Sequence, residues 1–202
     1  MNEFTKKIIK KRYVLLASAI ALTFIFSMTF FNKISSTVEV FRANIELQKM
    51  EKQGYKNYDV LDGSFRFSIP TSWNAWEQKF VGGEIIYNLN YITPNKKIYG
   101  FIQVWNMEKP LGEFLEESKK AAVGAVDFKN YDLKEIMVNR KKGYLLEYIR
   151  ARDNEGYIRA YEAFVDGSNG RIYRASFYTD EKDWRRYYPL MFNRIIQSFS
   201  IK

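Results

Sequence analysis

Hydrophobic positions follow three rhythms along the chain, and each predicts a different kind of element. From Tyr13 to Phe31 the residues run without one charged side chain. At 1.5 Å of rise per residue these about 19 residues cross a hydrocarbon core of roughly 30 Å. Secretory signals have a shorter apolar region, about 7–15 residues, closed by a small-x-small site. The run here is longer, and its one such stretch, Ser27-Met28-Thr29, is a poor match. Retention as an anchor is the expectation and cleavage the alternative. Lys6, Lys7, Lys10, Lys11 and Arg12 stand immediately before the run, whereas both signs mix after it. The positive-inside rule therefore predicts a cytoplasmic tail over 1–12, a transmembrane helix over 13–31 and an extracytoplasmic remainder.

The second rhythm is helical. Residues 32–54 read as a stalk, with Val38, Phe41, Ile45 and Gln48 on one stripe and Gly54 ending it; a short coiled coil is the alternative, although the pattern lasts barely two heptads. Leu111 to Val126 predicts a helix with Leu111, Phe114, Leu115, Ala121, Ala122 and Ala125 on its packed face. Its glutamates, Glu113, Glu116 and Glu117, precede Lys119 and Lys120, the order that suits the helix dipole; a solvated face is favoured over a metal or acid-base role. Asp180 to Phe199 places Trp184, Tyr187, Tyr188, Met191, Phe192, Ile195, Ile196 and Phe199 at three- and four-residue steps, with Pro189 expected to restart the helix.

The third rhythm alternates. Phe65, Phe67 and Ile69 point one way in a strand stopped by Pro70. Further strands are predicted at Trp76–Val81, Glu84–Ile92, Ile98–Met107, Tyr131–Asn139, Tyr144–Arg152, Tyr157–Asp166 and Arg171–Thr179. The breaks fall at Gly82-Gly83, Thr93–Lys96, Arg140–Gly143, Asp153–Gly156 and Gly167–Gly170. Loops this short join antiparallel neighbours. The expected fold class is α/β in the α+β sense: an antiparallel central sheet sandwiched by helices over 55–202, preceded by the transmembrane helix.

Composition removes several chemistries. The 202 residues contain neither Cys nor His, so zinc sites of the usual kind, Ser-His-Asp and Cys-His centres are excluded, as are disulfides. No G-x-x-x-x-G-K-[ST] phosphate loop is present. Of the net charge of +9, the five basic residues of the tail together with Glu3 account for +4. The mild excess that remains fits an acidic envelope surface or protein partner better than nucleic acid.

The stretch Phe65-Arg66-Phe67-Ser68-Ile69-Pro70-Thr71-Ser72-Trp73 resembles the F-x-h-x-h-P-x-x-W opening of PsbP-like domains. Tyr173-Arg174-Ala175-Ser176-Phe177, followed by Trp184, Tyr188, Pro189, Phe192, Ile195, Ile196, Ser198 and Phe199, is similar to that family's last strand and closing helix. The resemblance covers about Tyr58 to Lys202. It implies a non-enzymatic domain that binds or helps assemble a membrane-associated complex, with no cofactor, and bacterial members that are exported or anchored.

Candidate chemistry depends on register. Even-length turns centred on Asn154-Glu155 and Ser168-Asn169 would place Arg150 opposite Arg159, Tyr148 opposite Tyr161, Glu147 opposite Glu162 and Ala163 opposite Arg174. One face then gathers Tyr148, Arg150, Arg159, Tyr161, Arg174 and Tyr178, a candidate surface for binding a protein partner; a partly solvated face is the plainer reading. The other face would pair Glu147 with Glu162, the sharpest enzymatic hint, since two carboxylates can divide acid and base roles; ordinary pairing with Lys182, Arg185 or Arg186 is favoured. Trp73 and Trp76 are candidates for an apolar ligand or lipid groove, with packing on the first strand as the alternative. These readings predict a single-pass envelope protein, N-terminus cytoplasmic, that recognises a partner in a membrane or envelope complex.

Overall fold

A computed structural model describes residues 37–122, 124–152, 155–167 and 170–202. The predicted cytoplasmic tail and membrane span lie outside the described residues. Among the described residues no helix is long and apolar enough to cross a membrane.

The chain divides between Asn44 and Ile45. Of the first unit, residues 37–44 are described and helical. Helical residues run over 37–53 (α1), and from Ile45 onward they belong to the second unit, where Met50 and Leu47 join the core. The predicted stripe differs: Phe41 and Val38 are exposed, and Ile45 faces out at 37%. Within the second unit Met50 and Leu47, rather than Ile45, turn to the core.

The second unit, Ile45–Lys202, is built on two antiparallel sheets. Strands β3 (Asn74–Glu77), β4 (Ile85–Ile92), β5 (Tyr99–Asn106), β9 (Arg171–Asp180), β8 (Tyr157–Asp166), β7 (Lys141–Ala151) and β6 (Phe128–Val138) form a seven-stranded sheet in that spatial order. A small sheet carries β1 (Tyr55–Val60), β2 (Phe65–Pro70) and β10 (Ser200–Ile201) in the order β1-β2-β10. Helix α2 (Leu111–Ala122) connects β5 to β6, and α3 (Tyr188–Ile196) follows a 3-10 turn at Glu181–Asp183. The expected sandwich of helices is thus half right. One face of the large sheet takes α2, and the other packs on the small sheet together with α3.

That second layer is the main core. Phe65 of β2 lies 4.7 Å from Tyr173, and Phe177 stacks on Phe192 of α3 at 4.2 Å. Pro189 stands in the first turn of α3, where its missing N–H breaks no helical bond. The strands β1 and β10 were not predicted, because half-exposed or two-residue strands carry almost no alternation. A smaller cluster, Leu111, Leu115, Leu146, Phe164 and Ile172, fastens α2 to the opposite face. Gly100 lets two strands meet closely: a Cβ there would stand 1.8 Å from the Ser176 carbonyl oxygen.

The hairpin register departs from expectation by one residue. The Arg152 N–H donates to Gly156 O and the Gly167 N–H to Arg171 O, so each closing pair encloses three residues rather than two or four. Gly170, with φ of 72°, supplies the left-handed residue that a three-residue loop needs. Consequently Glu147 stands opposite Tyr161, Ile149 opposite Arg159 and Leu146 opposite Glu162, while Glu162 faces Ser176 and Phe164 faces Arg174. The turn between β6 and β7 is also shorter than predicted: Val138 pairs with Lys141, leaving Asn139 and Arg140, both with positive φ.

Candidate functional site: a cleft beneath α2

A one-residue slip sends every side chain of a strand to the other face, and it redistributes the predicted binding surface. Tyr148, Arg150, Arg174 and Tyr178 do share a face, the one covered by α2. Arg159 and Tyr161 are on the opposite face. Arg159 lies 4.2 Å over the Trp184 ring and 3.7 Å from Glu147. Tyr161 is buried against Phe192 and donates to Asn193, and burial pushes its hydroxyl up to about 12.

The paired-carboxylate site is overturned by the same slip. Glu147 faces the α3 side of the sheet, near Arg159 and Lys134. Glu162 faces the α2 side. A sheet separates the two groups, so they cannot share one glycosidic bond or one proton. Of the two candidate groove residues, Trp73 is 7% exposed and packs on Tyr91 at 5.1 Å, so its ring belongs to the core. Trp76 lies on the edge strand β3 and is 48% exposed.

Glu162 instead organises the α2 face. It is 1% exposed, and all its capacity is used. Oε1 accepts from the Tyr148 and Tyr178 hydroxyls, each at 2.9 Å, and Oε2 from Ser176 Oγ and Arg174 Nε, each at 2.8 Å, with Arg174 Nη2 as a fifth donor. Burial by itself would raise this carboxyl; the Arg174 charge and the donors from Arg174, Ser176 and Tyr148 outweigh it and hold the group below its ordinary value. The guanidinium of Arg174 is packed among three rings, Phe101, Phe164 and Trp105, at 4.9, 5.0 and 5.5 Å. The polar line continues along β5 and β4, where Trp105 Nε1 donates to Gln103 and Gln103 Nε2 donates to Asn88.

Above this floor, between the sheet and α2, lies a cavity of about 310 Å³. Phe114, Leu115 and Ser118 line it from the helix, Phe128 and Tyr131 from β6, and Tyr148, Arg150, Glu162, Phe164 and Arg174 from the sheet. Phe128 stands edge-on to both Tyr131 and Tyr148, at 5.5 and 5.6 Å. Arg150 is paired across the strands with Phe128. Its Nη1 donates to the carbonyl of Ala151, at 3.5 Å, and its charge acts on the Tyr99 hydroxyl. Two other depressions, of about 770 and 340 Å³, flank the β3–β4 loop and contain no buried ionised group.

Sequence reasoning missed Glu162 and Ser176 as the centre of this face, and the α2 wall altogether. The signal was present: an acidic residue inside the run Tyr161-Glu162-Ala163-Phe164-Val165 and a basic one inside Tyr173-Arg174-Ala175-Ser176-Phe177. Charges in two buried neighbouring strands are stable only when they meet.

With the geometry in place, comparison with known proteins decides the family. The PsbP family model matches residues 53–201. The chain belongs to the PsbP family. The match spans nearly the whole second unit, and the solution structure of cyanobacterial PsbP from Synechocystis has the same fold. Its TM-score is 0.53 at 16% identity, with 74% of this chain and 94% of that one covered. A Pseudomonas aeruginosa protein of unknown function, described as a putative regulator, aligns at a TM-score of 0.48 and 14% identity, covering 73% and 97% of the two chains. No match was found among curated proteins. The PsbP domain here is therefore identified by its family model and its fold, and the Glu162 cluster sits on the face of that domain covered by α2.

Proposed function

We propose that this chain is a single-pass, extracytoplasmic PsbP domain that recognises a protein partner in a membrane or envelope complex through the α2 face of its large sheet. The observation that carries the reading is the set of donors converging on Glu162. That buried carboxylate holds Tyr148, Tyr178 and Arg174 in fixed orientations. A surface whose tyrosines and arginines are already ordered loses little conformational freedom on binding, and these residue types are the ones that interfaces favour. Membership in a family of binding and assembly domains supports the reading. The uncharged run Tyr13–Phe31 behind five basic residues supports the anchor and its orientation. An anchor raises the local concentration of the domain beside membrane partners.

The test is co-purification of the full chain from gently solubilised membranes, with partners identified by mass spectrometry. Arg150→Glu is compared with Arg159→Ala, which alters the opposite face. A stoichiometric partner lost only with Arg150→Glu is the expected result. A partner retained by both variants, or a protein that purifies alone, would remove this reading.

A further inference from the structure

Beyond protein recognition, the cavity beneath α2 has the character of a small-molecule site. We infer that it binds an aromatic monoanion, a flat apolar body carrying one carboxylate or similar acidic group, with Arg150 receiving the charge. This inference does not require the protein-partner reading.

Size, charge and wall chemistry each contribute. A volume of about 310 Å³ lies at the lower end of the roughly 300–1,000 Å³ that small-ligand pockets occupy, which suits one fused ring pair rather than a lipid chain. Five aromatic side chains contribute to the lining: Phe114, Phe128, Tyr131, Tyr148 and Phe164. The edge-on arrangement of Phe128 against Tyr131 and Tyr148 leaves ring surfaces on which a flat body can stack.

Charge selects the sign of the ligand. The ionised groups of the lining are Arg150, Arg174 and Glu162. Glu162 and Arg174 neutralise each other, and every acceptor position of Glu162 is occupied. A cationic ligand would find no free carboxylate. Arg150 remains the cation of the lining without a carboxylate partner among the described residues, its side chain half-buried beside Phe128. An arginine in such a position recognises a carboxylate with two parallel donors.

The test uses the full chain in detergent, which holds both hydrophobic clusters and the whole cavity. The probes are 2-naphthoate and its neutral isostere 2-naphthamide, titrated by calorimetry and by amide chemical shifts. The expected result is 2-naphthoate binding with a dissociation constant below about 1 mM, at least about tenfold tighter than the amide because a charge-assisted hydrogen bond is lost with it. Shifts should centre on Ser118, Phe128 and Tyr148. Arg150→Met should abolish the preference for the anion while leaving the amide's affinity unchanged. Ser118→Trp, at an exposed helix position on the cavity wall, should block both probes; an unchanged amide spectrum elsewhere shows that the fold is intact. No binding at millimolar 2-naphthoate would overturn the inference. So would equal affinity for the two probes, or anion binding that survives both substitutions.

Discussion

Glu162 on β8 meets Arg174 on β9 diagonally: the residue directly across from Glu162 is Ser176, and the one across from Arg174 is Phe164. The offset lets one carboxylate collect Ser176 from its own rung, Arg174 from the next, Tyr148 from β7 and Tyr178 from β9. It also sets the guanidinium among rings rather than in water. The pair is a fixture of the sheet, and its removal has predictable signs.

Replacing Arg174 by Met leaves a carboxylate in an apolar site with no cation. Breaking one side of a buried pair costs about 3–5 kcal/mol, whereas replacing both sides by uncharged groups of similar size is close to neutral. Arg174→Met is therefore expected to lower the denaturant midpoint sharply, and Arg174→Met with Glu162→Gln to recover most of the loss. Urea unfolding followed by tryptophan fluorescence measures both. Equal stability of the single and double variants would show that the pair is not coupled.

The pH dependence follows from the same group. Burial raises the Glu162 carboxyl, but Arg174 and the neutral donors lower it further, to below 4.5. A carboxyl whose folded value is depressed stabilises the protein fully above its unfolded value and loses that contribution as pH falls through the folded one. The wild-type domain should hold this contribution from neutral pH to about pH 4.5 and lose it below. In Arg174→Met the opposing cation is gone and burial dominates, so the carboxyl rises and the variant should gain stability as pH falls from 7 towards 5. Thermal midpoints across pH 3–7 give the two opposite slopes.

The parts of this architecture that were legible in the sequence are those where one residue type repeats a constraint. Phe65, Phe67 and Ile69 announce a half-buried strand, and the steps from Tyr188 to Ile196 announce α3. The four strands that build the α2 face were located to within a few residues. What could not be read was their register, because a loop of three residues and a loop of four look alike in sequence, yet one residue exchanges the faces. Tyr148, Arg150, Arg174 and Tyr178 stayed together because they lie on β7 and β9, the two strands that flank β8, and the two one-residue slips cancel between them. Arg159 and Tyr161 left the group because β8 alone changed phase relative to them. The cavity was illegible for a different reason: its roof depends on where α2 docks, and that is set by Leu111 and Leu115 meeting Leu146, Phe164 and Ile172 from three strands distant in sequence.

Gly100 tests the close approach of β5 and β9. A Cβ would meet Ser176 O at 1.8 Å and the Tyr91 hydroxyl at 2.8 Å, and that hydroxyl already donates to the same carbonyl. Backbone on one side and a buried hydrogen bond on the other leave no cheap relief. Gly100→Ala should destabilise by about 3 kcal/mol, the upper range for overpacking. Gly112→Ala is the control. Its Cβ would approach the Tyr144 hydroxyl at 3.0 Å, the far end of a side chain that can yield. Exchanging glycine for alanine in a helix regains up to about 1 kcal/mol, so Gly112→Ala should stay near wild type in the same unfolding assay.

Asn139 links the β6–β7 turn to the end of the chain. Asn139 and Arg140 have φ of 47° and 70°, the pair of positive values that defines a two-residue hairpin turn and that asparagine tolerates best among residues with a side chain. The Asn139 Nδ2 also donates to Gln197 O at 3.0 Å and Phe199 O at 2.7 Å, carbonyls between the last turn of α3 and β10. One side chain thus supports a strained turn and closes a helix end 58 residues away in sequence. Asn139→Ala loses both, with about 1–2 kcal/mol expected from the two hydrogen bonds. Asn139→Gly keeps the backbone freedom and loses only the hydrogen bonds, so it should fall between wild type and alanine. Amide exchange at Ser200 and Ile201 should accelerate in both variants, because β10 is then held to β2 by little besides its own short ladder. If exchange there is unchanged, the turn and the chain end are independent.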